Sequence, residues 1–388
     1  MASCKRFLLY SQHLSGTGHF VRTFEIARAL ASRHDVYLVD GGRPVPRATS
    51  PHSFARITLP RIYRAVDGIR AVDITRDIEE VMQDRKRILL EAVDDIRPDV
   101  VLIEHFPFSK LHLRSEIVPI ITLAREVNNR SRVISSIRDI SPRTANEPDP
   151  DQYRREVLHL LSNFFDGILV HADPAFVRLE ECVPWAGEIP VPIEYTGYVS
   201  EKPAGKACHI KASPDQNTIS DDLVIASAGG SGSEDLLTHY IDAWKRADRQ
   251  GAVAKYKLVI FAPLFLPEHT LRSLRERATG SQIEIRHFTP GLVDWMCAAD
   301  LTINEAGYNT CTNILETRTP AILIPNPLMS DQSLRASRFA ASRLATVIES
   351  RDVNPDRLAR TIIETLGRPE SRHNIDLDGA QKTLDILG

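Results

Sequence analysis

The sequence predicts an α/β protein of two doubly wound, Rossmann-like domains, and two observations carry this prediction. At 388 residues the chain is too long for one ordinary core and suits two domains of about 150 to 200 residues each. Short runs of Val, Ile and Leu between turn residues recur along it, as in strands that are buried on both faces. Stretches with helical spacing lie between many of these runs, and this alternation predicts parallel sheets.

The predicted elements follow from these two patterns. Strands are predicted at residues 7–11, 36–41, 99–105, 189–199, 223–230, 257–263, 283–288, 301–307 and 321–327. Helical spacing is clearest in two sets of residues, which are Phe20, Phe24, Ala27 and Ala31, and Leu237, Tyr240, Ile241 and Trp244.

A polar stretch divides the chain. Residues 201–222 have the apolar spacing of neither a helix nor a strand, and they combine Pro, Gly, Ser, Asn and Asp. This composition predicts an interdomain connection or a long surface loop. The two predicted domains are therefore residues 1–200 and 201–370. Residues 371–388 have a weak helical pattern, and we expect this segment to pack back on the first domain.

Composition argues against several classes of protein. Charged residues make up 26% of the chain and the formal net charge is −3, so no nucleic-acid partner is expected. The five cysteines are odd in number and form no C-x-x-C pair, which argues against a disulfide framework and a zinc site. The first apolar run is about four residues long, well short of a signal peptide or membrane span. These features favour a cytoplasmic protein.

The first predicted strand runs into a glycine-rich turn, Gly16-Thr17-Gly18, and then directly into a helix. His19 stands at the helix start, at the sheet edge where doubly wound folds bind ligands. The positive end of the helix lowers the pKa of an imidazole and keeps it neutral, as a general base requires. His19 is therefore either a general base or a residue that caps the turn. The turn lacks the third glycine and the acidic partner of a dinucleotide fingerprint, so NAD binding is not predicted.

The second half begins with another strand, glycine turn and helix. Gly229, Gly230, Ser231 and Gly232 can present successive backbone amides at a helix start, which suits a phosphate. The Ser-Glu-Asp segment 233–235 offers an alternative, since it can cap the helix and its acids disfavour a nearby anion.

A third turn follows the predicted strand 301–307. The amides of the turn, with the side chains of Asn309 and Thr310, can hold a diphosphate without a metal, or they can simply cap a helix. Asp331 and Gln332 lie beyond the next strand, where they either hydrogen-bond sugar hydroxyls or are merely solvated. No cluster with metal-ligand spacing accompanies the phosphate turns, so neither a metal nor another cofactor is expected.

Together these segments resemble the GT-B glycosyltransferases. The likeness is strongest to the family 28-like group that contains the bacterial N-acetylglucosaminyltransferase making lipid II, and more distant to plant and macrolide UDP-glycosyltransferases. It is concentrated in residues 7–31 and 223–340. The sequence is also similar to predicted bacterial glycosyltransferases, through SGTGHFVR (15–22), IEHFPF (103–108), SIRDI (136–140) and AGYNT (306–310).

The resemblance implies two Rossmann-like domains facing each other across a cleft, the first binding the acceptor and the second the nucleotide-sugar donor. It implies that His19 is the acceptor-side base, in a loop formed by Gly16, Thr17 and Gly18. A general base of this kind is oriented by an acid. Glu104, which ends a predicted strand, is the first choice and Asp139 the second, although Glu104 alternatively lies on the rim of the site.

The resemblance also implies a set of donor-side contacts. Gly230 and Ser231 match a turn near the diphosphate, Thr289 matches a position whose backbone faces the nucleobase, and Gln332 matches a sugar-contacting glutamine. Gly307, Asn309 and Thr310 match a glycine, asparagine and hydroxyl turn of the plant enzymes, and Asp331 is assigned to the same donor site.

One position departs from the pattern of the resembling enzymes. They have a glutamate six residues after the turn glycine to bind the ribose hydroxyls, and here this position is Asn313. Glu316, one helical turn further on, is the alternative as a partial substitute for this glutamate, although it faces a different direction. The departure implies weaker nucleotide binding or use of a nucleotide such as dTDP.

The expected function is metal-independent transfer of a sugar from a UDP-sugar, or a dTDP-sugar, to a small-molecule, natural-product or lipid-linked acceptor. A nucleotide-sugar hydrolase of the same fold and a non-catalytic nucleotide-sugar-binding subunit are the alternatives. Residues 56–75 mix Arg with apolar residues, which fits either peripheral contact with a membrane or lipid acceptor, or a substrate-side loop and helix with a solvated basic face.

Overall fold

A computed structural model describes residues 4–14, 18–45, 54–65, 68–140, 149–203, 222–229 and 233–388. The chain divides into two compact units. The first combines Met1–Ser200 with Ile375–Gly388, and the second is Glu201–Asn374. Most of the predicted connection at 201–222 lies outside the described residues.

The first unit contains nine strands and four helices before the chain enters the second unit, counted over the described residues. The strands are β1 (Arg6–Ser11), β2 (Asp35–Asp40), β3 (Ala55–Thr58), β4 (Ile62–Ala65), β5 (Gly68–Ala71), β6 (Val100–Glu104), β7 (Arg132–Arg138), β8 (Gly167–His171) and β9 (Ile193–Tyr195). The helices are α1 (Gly18–Leu30), α2 (Ile78–Ile96), α3 (Arg114–Val127) and α4 (Pro150–Phe164).

Seven of these strands form one parallel sheet in the order β3-β2-β1-β6-β7-β8-β9. The central strands β1, β6 and β8 are buried almost throughout, as their apolar runs predict. Tyr10 of β1 is level with Ile103 of β6, and Glu104 is level with Ser136 of β7. The carboxyl ends of these strands therefore meet at one edge of the sheet, beside the start of α1.

The segment 56–75 was expected to be a loop and a helix, and this prediction is wrong. It continues β3 and forms the antiparallel hairpin β4-β5. Burial in the hairpin is partial, since the paired residues Ile62 and Ala71 are buried whereas Arg64 and Arg70 are exposed. The predicted strand 189–199 is also shorter than expected, because Pro190 and Pro192 have no N–H to donate to a sheet.

The second unit repeats the alternation of strand and helix. Its described strands are β10 (Leu223–Ser227), β11 (Lys257–Phe261), β12 (Ile283–Arg286), β13 (Leu301–Asn304), β14 (Ala321–Leu323) and β15 (Thr346–Val347). Its described helices are α5 (Glu234–Arg249), α6 (Glu268–Ala278), α7 (Leu292–Ala298), α8 (Tyr308–Thr317), α9 (Ser330–Ala341) and α10 (Pro355–Thr365).

These strands form a parallel sheet in the order β12-β11-β10-β13-β14-β15. The direction of winding reverses between β10 and β13, and such a switch point is where doubly wound sheets bind ligands. Ser227 and Asn304, the last residues of the two strands, are level with each other. The helical spacing predicted for the segment after β10 is confirmed, since Leu237, Tyr240 and Trp244 of α5 are fully buried.

The chain ends in helix α11 (Gly379–Leu387), which belongs to the first unit. Leu384 and Leu387 are buried, and the Lys5 side chain donates a hydrogen bond to the Leu387 carbonyl at 2.7 Å. A Cβ at Gly379 would lie 2.4 Å from the Gly197 carbonyl oxygen, so only glycine allows this close approach. In the part of the chain that the structure describes, no helix has the length and apolar character needed to cross a bilayer.

Candidate active site

His19 and Glu104 meet at the carboxyl edge of the first sheet. His19 lies in the first turn of α1, and Glu104 ends β6. The Nδ1 atom of His19 is 2.6 Å from Glu104 Oε1. The Glu104 side chain is 1% exposed and that of His19 is 25% exposed, so the imidazole is reachable while its partner is enclosed. Gly18 begins α1, whereas Gly16 and Thr17 lie outside the described residues.

Asp139, the other acid considered for His19, has different partners. Its Oδ1 accepts a hydrogen bond from the Ile140 amide at 2.8 Å, and its Oδ2 lies 3.4 Å from the Tyr198 hydroxyl. Of the two acids, Glu104 is the one that contacts the His19 ring.

Two buried cations hold the Glu104 carboxylate. Arg22, one turn along α1 from His19, places Nη2 at 2.5 Å from Oε1, and Lys110 donates from Nζ to Oε2. Burial alone would raise the pKa of Glu104, but His19, Lys110 and Arg22 outweigh burial and hold this pKa well below its ordinary value. Glu104 is therefore an ionised carboxylate at neutral pH.

Arg138, the last residue of β7, contacts two imidazoles. Its Nη2 donates to Nε2 of His19, and its Nε lies 3.1 Å from Nε2 of His105. The two rings meet edge to face with their centroids 5.3 Å apart. We call these residues the His19 cluster, whose members are His19, Arg22, Glu104, His105, Lys110 and Arg138.

The environment keeps His19 neutral. Burial, reinforced by the charge of Arg138 and opposed by Glu104, lowers the pKa of His19 to about 3. The tautomer that satisfies both neighbours carries its proton on Nδ1, facing Glu104, and its lone pair on Nε2. This is the protonation state of a general base.

The sequence analysis did not single out Arg22, His105, Lys110 or Arg138 as site residues. All except Lys110 lie inside three of the four quoted segments, 15–22, 103–108 and 136–140, and Lys110 follows the second by two residues. A usable signal was present, because charged residues at the carboxyl ends of neighbouring parallel strands converge at one edge.

His19, Glu104 and His105 also have the spacing of a metal site, since one ligand atom from each lies within 4.8 Å of the others. Their surroundings do not fit a metal ion. Arg22 donates to Oε1 of Glu104 and Lys110 donates to Oε2. Arg138 contacts both imidazoles. A divalent cation would have to displace these contacts and then face three positive charges at close range.

In the second unit, Gly229 follows β10 with a φ of +64°, a conformation that favours glycine. A Cβ at this position would lie 3.2 Å from Oε2 of Glu305, the residue that follows β13. The glycine turn and this carboxyl therefore adjoin at the switch point of the sheet. Gly230 and Ser231, the two turn residues assigned to the diphosphate, lie outside the described residues.

Glu305 is a further residue that was not predicted as part of the site. It is 4% exposed, and its neighbours include two neutral amides, since Asn326 Nδ2 lies 3.3 Å from Oε1 and Gln332 also hydrogen-bonds it. Burial raises the pKa of Glu305 to about 7, although the hydrogen bonds from Gln332 and Asn326 oppose this rise. An unselected carboxyl that titrates near neutrality thus lies beside the glycine turn.

The turn after β13 begins helix α8. Gly307 immediately precedes the helix, and Asn309 and Thr310 lie in its first turn, where both are partly exposed. The Cys311 amide closes the first helical bond to the Gly307 carbonyl at 2.9 Å, so the amides just before it are those of a helix start. This is the arrangement that binds anions when one is present.

Asn313 lies one turn further into α8 and is 3% exposed. Its side-chain oxygen Oδ1 is buried and has no hydrogen-bond partner among the described residues. Glu316, the residue considered as a partial substitute, forms an ion pair with Lys202 at 2.9 Å.

Asp331 and Gln332 lie in the first turn of α9 rather than on a loop. Asp331 pairs with Arg335 at 3.0 Å, and the Gln332 side-chain oxygen accepts the Asn326 amide at 2.9 Å. The Gln332 side chain thus holds the turn after β14, whereas the Asp331 pair lies within α9. Thr289 lies between β12 and α7, where its Oγ1 accepts the Gly291 amide at 3.4 Å, and it shares the carboxyl edge of the sheet with the glycine turn.

Curated proteins match only part of the chain. The UDP-N-acetylglucosamine–N-acetylmuramyl-(pentapeptide) pyrophosphoryl-undecaprenol N-acetylglucosamine transferase of Anaeromyxobacter sp. (strain Fw109-5) is 32% identical over 101 residues, which is 26% of each protein. The enzyme of the same name from Bacillus cytotoxicus is 21% identical over 180 residues, or 44% of this chain and 48% of the relative. The chain thus spans a quarter to a half of the length of these relatives.

Solved structures match over nearly the whole chain. MurG of Acinetobacter baumannii is 14% identical, with a TM-score of 0.56 and 99% of both chains covered. The spinosyn forosaminyltransferase SpnP and Phytolacca americana UGT2, solved with UDP-2fluoro-glucose and pterostilbene, both have TM-scores of 0.61 at 14% identity. They cover 99% and 100% of this chain and 94% of their own. At these identities the likeness establishes the fold.

A family model matches the second half of the sequence. Residues 225–381, from β10 to the start of α11, match the family model described as the Glycosyltransferase family 28 C-terminal domain. The chain therefore has the GT-B fold, and its residues 225–381 are similar to the Glycosyltransferase family 28 C-terminal domain.

Proposed function

We propose that this protein is a glycosyltransferase that moves a sugar from a nucleoside diphosphate, in the first place UDP, to a hydroxyl of a small-molecule or lipid-linked acceptor. The observation that carries the proposal is the neutral His19, whose Nδ1 is held by the buried Glu104 carboxylate at 2.6 Å. The family 28 domain and the donor sugars named for the relatives support the choice of donor.

In the proposed reaction His19 is the general base. Its Nε2 takes the proton of the acceptor hydroxyl while the acceptor oxygen bonds to the anomeric carbon of the sugar. The bond from that carbon to the diphosphate oxygen breaks, and its electron pair leaves with the nucleoside diphosphate. Glu104 keeps Nδ1 protonated and stabilises the imidazolium that forms, as the acid of a catalytic triad does.

In this proposal the second unit binds the nucleotide-sugar donor. Backbone amides of the turn that begins at Gly229, and of the start of α8, would stabilise the diphosphate without a metal ion. The unpaired Oδ1 of Asn313 would accept a ribose hydroxyl, since an unsatisfied buried acceptor costs about 1–3 kcal/mol. Thr289 would face the nucleobase. Asp331 and Gln332 would contact the sugar if donor binding loosens their present contacts.

A nucleotide-sugar hydrolase is the second candidate, because the same His19–Glu104 pair can take a proton from water instead of from an acceptor. A third outcome is a nucleotide-sugar-binding subunit without turnover. For each of these three functions we propose the cytoplasm as the compartment, because no disulfide joins the described cysteines Cys4, Cys182, Cys297 and Cys311 to one another.

Release of the nucleoside diphosphate separates these functions. The full-length chain is mixed with a panel of UDP-sugars and dTDP-sugars, with and without a library of hydroxyl acceptors, in EDTA. We expect release that requires an acceptor and survives EDTA. Release at full rate without an acceptor would identify a hydrolase. UDP-dependent thermal stabilisation with no release from any donor would identify a binding subunit, and dependence on added Mg²⁺ would contradict metal independence.

A further inference from the structure

Glu305 is a buried carboxyl that the proposed reaction does not use. It follows β13 at the switch point of the second sheet and is 4% exposed. Its Oε2 faces the glycine turn after β10, because a Cβ placed on Gly229 would lie 3.2 Å from this atom. In the proposed donor site the diphosphate lies at this same turn. An ionised carboxylate there would face the negative charge of the diphosphate at close range and repel it.

Two amide side chains limit how Glu305 can form hydrogen bonds. Asn326 places Nδ2 at 3.3 Å from Oε1 of Glu305, and Gln332 also donates to this carboxyl. The oxygens of both amides have other partners, since Asn326 Oδ1 accepts the Leu328 amide at 3.0 Å and Gln332 Oε1 accepts the Asn326 amide at 2.9 Å. Both side chains therefore turn an N–H group towards Glu305 and cannot accept its proton. A neutral Glu305 can donate this proton to another acceptor, and Oε2 brings it to the glycine turn.

The surroundings of Glu305 favour the neutral acid. Burial raises the pKa of Glu305 to about 7, although the two amide hydrogen bonds oppose this rise. Helix α5 brings Tyr240 close, and burial and the charge of Glu305 raise the pKa of this tyrosine well above its ordinary value, so it stays neutral. From α9, Arg335 pairs with Asp331 at 3.0 Å and donates to the Ala306 carbonyl at 2.8 Å. Near neutral pH Glu305 therefore exists in both forms.

We propose that Glu305 binds the nucleotide-sugar donor as a neutral acid and donates its O–H to a phosphate oxygen of the diphosphate at the glycine turn. The inference rests on the proposed glycosyltransferase function and adds a donor-binding residue to the second unit. The proton stays on Glu305 throughout. When the bond from the anomeric carbon to the diphosphate breaks, negative charge grows on the diphosphate, and a hydrogen bond donated to it becomes stronger.

The bound diphosphate changes how Glu305 titrates. An anion beside the carboxyl disfavours the carboxylate, so donor binding raises the pKa of Glu305 further. Above pH 7 the free protein is mostly ionised at Glu305 whereas the complex holds the proton, so binding takes up a proton from solution. This single group therefore weakens the affinity for UDP by up to about tenfold for each pH unit above 7, and has little effect below about pH 6.

Calorimetry of UDP binding measures this proton. The full-length chain is titrated with UDP in EDTA at about pH 6 and about pH 8.5, in two buffers with different heats of ionisation, and the difference in heat gives the number of protons taken up. The proteins are the wild type, Glu305→Gln, which keeps a donor but cannot ionise, and the control Glu364→Gln, which removes an exposed carboxyl of α10. The terminal phosphate of UDP also titrates, with a pKa near about 6, but it contributes equally in all three proteins.

We expect the wild type and Glu364→Gln to take up most of one proton more than Glu305→Gln at about pH 8.5, and nearly the same number at about pH 6. Between these pH values the Kd for UDP should rise about tenfold or more in the wild type relative to Glu305→Gln. Equal proton uptake by the wild type and Glu305→Gln at the higher pH, with UDP bound to both, would overturn the inference alone. Failure of UDP to bind the wild type would instead count against the proposed donor site, and with it against this role of Glu305.

Discussion

At the scale of single residues, the imidazole of His19 is the group on which the proposed chemistry depends most directly. Replacing it with alanine removes the proton acceptor and leaves the second unit untouched. We expect His19→Ala to lower the rate of transfer by about 10² to 10⁴, which corresponds to roughly 3–5 kcal/mol of transition-state stabilisation. The Kd for UDP should stay close to that of the wild type.

His159→Ala is the matched control, because His159 is an exposed histidine on α4 of the same unit. Steady-state rates give the effect on transfer, and calorimetry gives the Kd. Unchanged turnover in His19→Ala would remove His19 as the base, and a large loss of UDP affinity would place it in the donor site instead.

Glu305 gives a prediction for the dependence of stability on pH. Its pKa is raised by burial from 4.5 to about 7 in the folded chain, so its favourable contribution to folding is fully present below pH 4.5 and is lost as the pH rises through 7. The gap between the two pKa values corresponds to roughly 3 kcal/mol. We expect Glu305→Gln, which cannot ionise, to be more stable than the wild type at pH 8 and about equal to it at pH 4.5.

Urea unfolding followed by tryptophan fluorescence measures this difference, and Trp244 and Trp295 report on the second unit. Glu284→Gln is the control, because Arg286 and Lys257 lower the pKa of that carboxyl in spite of burial, and its loss should not stabilise the chain at pH 8. The same difference between Glu305→Gln and the wild type at both pH values would contradict a raised pKa.

Only some residues of the candidate site could be predicted from the sequence. His19 and Glu104 were selected because each ends or follows a predicted strand, and the structure brings them together at 2.6 Å. Arg138 lies 119 residues from His19 in the sequence, and the cation it brings to Nε2 follows only from the order of the strands β1, β6 and β7. The raised pKa of Glu305 likewise depends on its burial, which the sequence does not give.

At the scale of secondary-structure elements, helix α8 carries the residue that we propose contacts the donor ribose. Asn313 has a buried side-chain oxygen without a partner among the described residues. A glutamate would bind two ribose hydroxyls with a charge, whereas dTDP has only one to offer. We expect Asn313→Glu to tighten UDP relative to dTDP by about 1–3 kcal/mol.

Calorimetric Kd values for UDP and dTDP measure this preference. Glu316→Gln is the control, because Glu316 lies on the same helix but pairs with Lys202. If both nucleotides bind Asn313→Glu as they bind the wild type, Asn313 does not belong to the donor site.

Elements that are buried on both faces were the most predictable. The strands β1, β6, β10 and β13 are rich in apolar residues, because helices cover both sides of a parallel sheet. Their ends were less predictable. The strand predicted at 301–307 stops at Asn304, because Glu305 begins the turn into α8. The hairpin β4-β5 was missed because its strands are four residues long and each is interrupted by an arginine, so neither shows a continuous apolar run or a period of two.

At the scale of the whole molecule, the chain leaves the first unit at Ser200 and returns to it at Ile375. Helix α11 completes this unit by packing against α1, the helix that carries His19. The sequence showed only a weak helical pattern in residues 371–388. The contact of this segment with α1 left no local signal, because the two segments are far apart in the sequence. The stability of the first unit therefore depends on residues encoded after the second unit.

This dependence yields a prediction for α11. Leu384 is 2% exposed, and its truncation leaves a cavity against the first unit, so Leu384→Ala should lower the free energy of unfolding of that unit by about 2–5 kcal/mol. Asp385→Ala is the matched control, because the neighbouring residue faces solvent on the same helix and should change this free energy by less than about 0.5 kcal/mol. Hydrogen exchange read out by mass spectrometry separates the two units. Faster exchange in α1 and β1 with unchanged exchange in α5 and β10 is the expected result, and equal acceleration in both units would contradict the assignment of α11 to the first.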